Sequence, residues 1–146
     1  MMAAIYLCIG PEEFVGRTQQ LTLHHEARRH GVRGVWIYTD HASTRQRPGF
    51  QRLQRAVLRG EVALVLVWRL DQLARSNDHL IRLIAQWRAH HVRLISMQEP
   101  FDSASWIGQA LVHWYKARLR ADRARRREQI RARWAAAQAR KSRGSA

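Results

Sequence analysis

The chain is 146 residues long with a formal net charge of +15, and 46% of its residues are apolar. That composition excludes a disordered polymer and leaves room for one ordinary domain with a core, not two. A single cysteine, Cys8, excludes an internal disulfide framework and a multi-cysteine zinc site, and no apolar run approaches the roughly 20 residues of a membrane span.

Ala3 to Ile9 is a short apolar run ended by Gly10-Pro11, which predicts a buried strand running into a loop. Thr18 to His30 suits a helix closed by Gly31, and Gly34 to Tyr38 a second strand. Asp40 to Arg47 is polar and is expected to be a loop. Pro48 then fits the first turn of a helix whose apolar residues Phe50, Leu53 and Val57 fall at helical spacing, with Gly60 as its stop. Val62 to Trp68 is nearly continuous in aliphatic residues, the pattern of a strand covered on both faces. Leu80, Leu83, Ile84 and Trp87 recur at i, i+3, i+4 and i+7, an amphipathic helix starting near Ser76. Val92 to Met97 predicts another strand, stopped by Pro100. From Ser103 onward no proline appears, and one long helix is expected. Its first half carries Ile107, Leu111, Trp114 and Tyr115, and its second half is mostly Arg and Ala around Ile130 and Trp134. Strands alternating with helices argue for an α/β sandwich with a mainly parallel sheet.

The charge is unevenly placed. Lys116 to Arg143 holds twelve Lys or Arg against only Asp122 and Glu128, a net of +10, leaving +5 for the rest of the chain. Such self-repulsion is costly unless an anion is present, and DNA is the natural anion. A membrane surface, with Ile130 and Trp134 as anchors, is the runner-up, but that apolar face is sparse.

Several segments carry a family likeness in order along the chain. They are Asp40-His41-Ala42-Ser43-Thr44, Arg47-Pro48-Gly49-Phe50, Gly60-Glu61-Val62, Leu70-Asp71-Gln72-Leu73-Ala74-Arg75, and Glu99-Pro100-Phe101-Asp102-Ser103 with Gly108 beyond. In this the chain resembles the catalytic domain of the serine site-specific recombinases, the resolvase/invertase family. The resemblance implies a three-layer resolvase-like α/β fold with a central, mostly parallel sheet and a long C-terminal helix. It divides the chain into a catalytic-type core, residues 1–102, and a basic dimerisation and DNA-binding helix and tail, residues 103–146. It implies DNA as partner, a homodimer or a tetramer on DNA, and possible work beside another recombination or mobile-element protein. A cytoplasmic, nucleoid-associated location follows, with no cofactor, metal or membrane called for. No helix-turn-helix or zinc ribbon follows the helix in this sequence, so weakly specific binding is expected.

The departures from the family pattern bear on activity. Where the family's first strand reads Y-x-R-V-S, this chain reads Tyr6-Leu7-Cys8-Ile9-Gly10. Cys8 stands at an arginine position and Gly10 at that of the attacking serine, so a covalent phosphoserine-type linkage has no side chain to form on. Gln72 replaces an arginine, while Arg47, Asp71 and Arg75 are retained. Phosphoryl transfer depends on cations around the phosphate, so a cage reduced to Arg47 and Arg75 is expected to hold a phosphate without activating it. The DNA-binding set is completed by Arg118, Arg123, Arg125, Arg126, Arg127 and Arg131 on the long helix. The family's Glu-Arg pair on that helix falls at Asp122-Arg123, or in a competing register at Arg127-Glu128-Gln129-Ile130.

Plainer readings stand beside these. Arg47 taken alone is a solvated loop arginine, and Asp71 with Arg75 a surface ion pair worth about 0.3–0.5 kcal/mol. Cys8 shares a strand face with Gly10 and is a displaced nucleophile candidate, but it lies roughly 6–7 Å back along the strand, and a buried inert thiol is the simpler account. His24-His25 and His90-His91 lack a third ligand at metal spacing. The expected function is therefore a DNA-binding recombinase-like protein that does not cut DNA. Two other readings stay open: an active recombinase with a displaced nucleophile or a completing partner subunit, and a basic module that docks on an acidic protein.

Overall fold

The computed structural model describes residues 1–11 and 13–144. Five strands form one sheet: β1 (Met2–Ile9), β2 (Gly34–His41), β3 (Leu64–Val67), β4 (Arg93–Ser96) and β5 (Phe101–Asp102), in the spatial order β2-β1-β3-β4-β5. The first four are parallel and β5 is antiparallel to β4. Among the described residues there are four helices: α1 (Glu13–Arg29), α2 (Pro48–Leu58), α3 (Asn77–Ala89) and α4 (Trp106–Gly144). A 3-10 turn, Leu70–Gln72, lies between β3 and α3.

The alternation of side chains along β1 and β3 makes two cores. Ala4 and Tyr6 with Val65 and Val67 face Phe50, Leu53 and Val57 of α2 and Leu83, Ile84 and Trp87 of α3. Ala3, Ile5 and Leu7 with Leu64 and Leu66 face Leu23 and Ala27 of α1. The continuous apolar run of β3 is thus covered on both sides, which gives three layers. Trp87 is fully buried, and its indole N–H is satisfied by Gln54 Oε1 at 2.6 Å, so its burial leaves no donor unpaired. Gly31 and Gly60 take φ of +69° and +71° just past α1 and α2, where a side chain would be strained.

Four local expectations are corrected. Asp40 belongs to β2, paired in register with Cys8, because the strand runs on beside β1 to His41. The helix α1 begins at Glu13, several residues before Thr18. The long helix begins at Trp106 rather than Ser103, since the chain first turns back as β5, held by the Arg93–Asp102 ion pair. Two residues are too few for a periodic signal, and Pro100 masked the turn. Asp71 and Arg75 do not form a helical pair; Asp71 sits in the 3-10 turn and bonds Arg69 at 3.3 Å.

Two compact units are distinguished, Met1–Val112 and His113–Ala146. The second is helical to Gly144, and the last two residues of the expected 103–146 segment lie outside the described residues. Of the four apolar residues noted in the first half of the long helix, Ile107 and Trp114 are exposed, Leu111 is half-buried and Tyr115 is buried. Among the described residues no helix is long and apolar enough to cross a membrane.

Candidate functional site

The sheet order determines where a ligand can enter. The crossovers on the two sides of β1 place α1 on one face and α2 on the other, so a crevice opens at the carboxyl ends of β1 and β3. The pairing of β1 with β3 ends at Tyr6 and Val67. Past that point β1 continues along β2, while the chain after Val67 turns off into the 3-10 turn. A cleft of about 260 Å³ lies between them, lined by Cys8, Ile9, Gly10, Pro11, Gly16, Gln19, Arg69 and Gln72.

A polar network supports the wall of this cleft. Asp40 is buried at 4% exposure, and its carboxylate accepts three hydrogen bonds: from the Tyr6 hydroxyl at 2.9 Å, Gly49 N–H at 2.7 Å and Phe50 N–H at 2.8 Å. The last two are free N–H groups of the first turn of α2, so Asp40 caps that helix from a neighbouring strand. Gly49 permits the approach, since a Cβ there would lie 2.4 Å from the Thr39 carbonyl oxygen. Burial pushes the Tyr6 phenol up to about 12, with Arg47 opposing and Asp40 adding to the rise, so Tyr6 keeps its proton.

Arg47 is the third member. Its guanidinium donates to the Leu73 and Gln72 carbonyls, each at 2.8 Å, and to the Tyr6 hydroxyl at 3.3 Å. It also lies 4.1 Å over the centroid of the Phe50 ring. Most of its donors are thus committed to fastening the Gln72–Leu73 segment to β1. Glu99 fastens the other end of that segment, accepting from Leu70 N–H at 3.1 Å and the Ser96 hydroxyl at 2.7 Å. Its burial would raise its pKa, but those hydrogen bonds outweigh it and hold the carboxyl below its usual value.

The cleft itself is chemically sparse. Cys8 is half-buried, and burial pushes its thiol pKa up against the pull of the Arg47 cation. At Gly10 a Cβ would meet nothing within 4 Å, so the position is empty by residue type and not for want of space. Gln72 turns its side-chain oxygen to Arg69 N–H at 3.4 Å. Among the described residues no group of three His, Cys, Asp or Glu side chains could hold a metal ion.

Comparison with known proteins places this geometry. The family model for the resolvase N-terminal domain matches residues 15–143. This chain is a member of the resolvase N-terminal domain family. A DNA-invertase of Enterobacteria phage P7 is 33% identical over 79 residues, 53% of this chain and 41% of the relative. The serine recombinase gin of Escherichia phage Mu is 33% identical over 67 residues, 46% of this chain and 34% of the relative. The chain spans less than half the length of the curated relatives it matches, as far as these alignments extend. The N-terminal catalytic domain of TP901-1 integrase superposes with a TM-score of 0.67 at 26% identity, over 85% of this chain and 98% of that one. A resolvase family site-specific recombinase from Streptococcus pneumoniae shares the fold, with a TM-score of 0.65 at 19% identity over 89% of this chain and 93% of that one.

In this resolvase-family domain the expected site residues separate into groups. Cys8, Gly10 and Gln72 do meet in the cleft, joined by Arg69 and Gln19, which the motifs did not single out. Arg69 was detectable as the basic residue immediately before Leu70-Asp71-Gln72. Arg47 stands behind the cleft, while Asp71 and Arg75 are exposed outside its lining. Arg118, Arg123, Arg125, Arg126, Arg127 and Arg131 are exposed on α4 in the second unit. Because burial raises the Cys8 thiol pKa, its thiolate fraction at pH 7.5 is expected to be below that of a free cysteine. Alkylation by iodoacetamide should then be several-fold slower than for a cysteine peptide, with its rate midpoint displaced to higher pH. An equal or faster rate at pH 7.5 would show an activated thiol.

Proposed function

We propose that this resolvase-family domain binds DNA without cutting it. The observation that carries this reading is the composition of the cleft at the strand ends: among the described residues that line it there is no Ser, Thr or Tyr, and Gly10 lines it where the motif likeness leads one to expect the attacking serine. Phosphodiester cleavage by covalent catalysis needs a nucleophile in line with the phosphorus and cations around its oxygens. Among the described residues lining the cleft Arg69 is the cation, and Arg47 is held by Tyr6, Leu73 and Gln72. Residues 1–102 act as the recombinase-like core and residues 103–146 as the basic helix that meets DNA. The domain works as a homodimer or within a tetramer, which the exposed Trp106 and Ile107 of α4 support. Its setting is the cytoplasm, on the nucleoid.

The test is covalent trapping on supercoiled DNA. The purified chain is expected to shift duplex DNA in a native gel, yet leave no denaturant-resistant complex and no nicks. A trapped complex abolished by Cys8→Ala would instead establish a displaced thiol nucleophile. Gly10→Ser should fold normally, because the added side chain has open space and the backbone φ at Gly10 lies outside the left-handed region. Trapping by Gly10→Ser alone would show that the glycine is what silences the site.

A further inference from the structure

A second cavity, of about 480 Å³, opens at the amino end of β4, where the end of α3 meets the start of α4. Its walls include Arg88 from the last turn of α3, His91 just past that helix, Arg93 at the start of β4, and Ser103 and Gln109 on either side of the start of α4. It shares no lining residue with the cleft at Cys8 and Gly10, which lies at the opposite ends of the strands.

Three basic side chains meet at this cavity, and the acid beside them is already engaged. Asp102 accepts from Arg93 Nε at 2.9 Å and from its Nη2, which leaves Nη1 uncommitted. Arg88 and His91 have no carboxylate partner among the described residues. Ser103 is 4% exposed; its Oγ accepts from Leu94 N–H at 2.8 Å, and its hydroxyl hydrogen has no acceptor among the described residues. A buried donor in that condition is normally met by water or by a ligand. His91 takes a φ of +60°, at a helix end where glycine is the usual residue. Its N–H bonds the Arg88 carbonyl at 2.9 Å and Val92 N–H bonds the Trp87 carbonyl at 2.8 Å, so the helix end is capped and repels an anion less.

We propose that this cavity binds a small phosphate-bearing anion, held by Arg88, Arg93 and His91 with the Ser103 hydroxyl as a further donor. A carboxylate is satisfied by one guanidinium fork, whereas a phosphate group takes donors from several directions at once. The imidazole offers an N–H in either protonation state. These cations surround one recess and do not form a row, so they suit a free anion more than a duplex backbone. A bound phosphate would join the end of α3 to the segment Ser103–Gln109 and so steady the start of the long helix. The inference goes beyond the DNA-binding reading and does not depend on it.

The experiment titrates inorganic pyrophosphate into the full chain by calorimetry, at about 150 mM salt to screen the diffuse attraction of the net charge. One saturable site is expected. Arg88→Ala should weaken it about tenfold, as loss of a charge-assisted contact does. His91→Gly should weaken it about threefold, yet keep or raise the thermal midpoint, because glycine is unstrained at positive φ. Lost binding in that variant cannot then be put down to unfolding. Arg82→Ala removes the same charge from an exposed position on α3 outside the cavity, and should change the affinity by less than about twofold. Equal losses for Arg82→Ala and Arg88→Ala would reduce the site to general attraction and overturn it. Absence of saturation up to about 10 mM pyrophosphate would do the same. Citrate should bind at least about tenfold more weakly than pyrophosphate, and equal affinity would overturn the phosphate assignment. A loss of duplex DNA affinity in Arg88→Ala as large as its loss for pyrophosphate would give the cavity to a DNA backbone and not to a free anion.

Discussion

Asp40→Ala is expected to lower the stability of the domain by about 3 kcal/mol and its thermal midpoint by roughly 10 °C. The carboxylate is buried and satisfies the Tyr6 hydroxyl and the Gly49 and Phe50 N–H groups. Removing it leaves two backbone donors at the start of α2 and the Tyr6 hydroxyl without their acceptor, away from water. Leaving such groups unmet costs more than the net worth of the bonds themselves. Tyr6 also accepts from Arg47, so the damage should spread to the Gln72–Leu73 segment that Arg47 holds. Asp40→Asn keeps one carboxamide oxygen and should recover part of the loss. Chemical denaturation with a thermal scan measures both. Arg75→Ala serves as the contrast, since that side chain is exposed and its loss should fall within about 0.5 kcal/mol. A midpoint shift below about 2 °C for Asp40→Ala would show that water replaces the carboxylate and that the network is not a structural element.

Binding of duplex DNA is expected to weaken about a thousandfold between 50 and 200 mM salt, a log–log slope near −5 for engagement of five to six phosphates by each chain. The stretch Lys116–Arg143 carries a net charge of +10, and its helix holds those charges on a fixed scaffold. Each phosphate neutralised releases condensed counterions, and salt opposes that release. Fluorescence anisotropy with a labelled duplex reads the slope directly. Replacing Arg47 should change it by less than one unit, since its guanidinium is already bonded to two carbonyls and a phenol. Affinity that does not respond to salt in this range would rule out DNA as the anion the helix answers. The same steep dependence on unrelated sequences is expected, because contacts to phosphates position a protein without reading bases.

The sequence by itself determined the layer architecture and the location of the charge. Both are written in local patterns: a run such as Leu64–Val67 with no polar break reads as a strand covered twice, and Leu80, Leu83, Ile84 and Trp87 read as one helix face. The motifs around Arg47, Asp71 and Glu99 were likewise enough to indicate the recombinase family. Only the tertiary structure decided what the retained residues do for one another. The motif marks Arg47 without saying that it bonds carbonyls 25 and 26 residues away, and Asp40 caps a helix from within a strand instead of opening a loop. No local periodicity carries such pairings, because they depend on which elements the sheet order brings side by side. Arg69 entered the cleft for the same reason: a strand that ends at Val67 turns the next residues toward the end of β1.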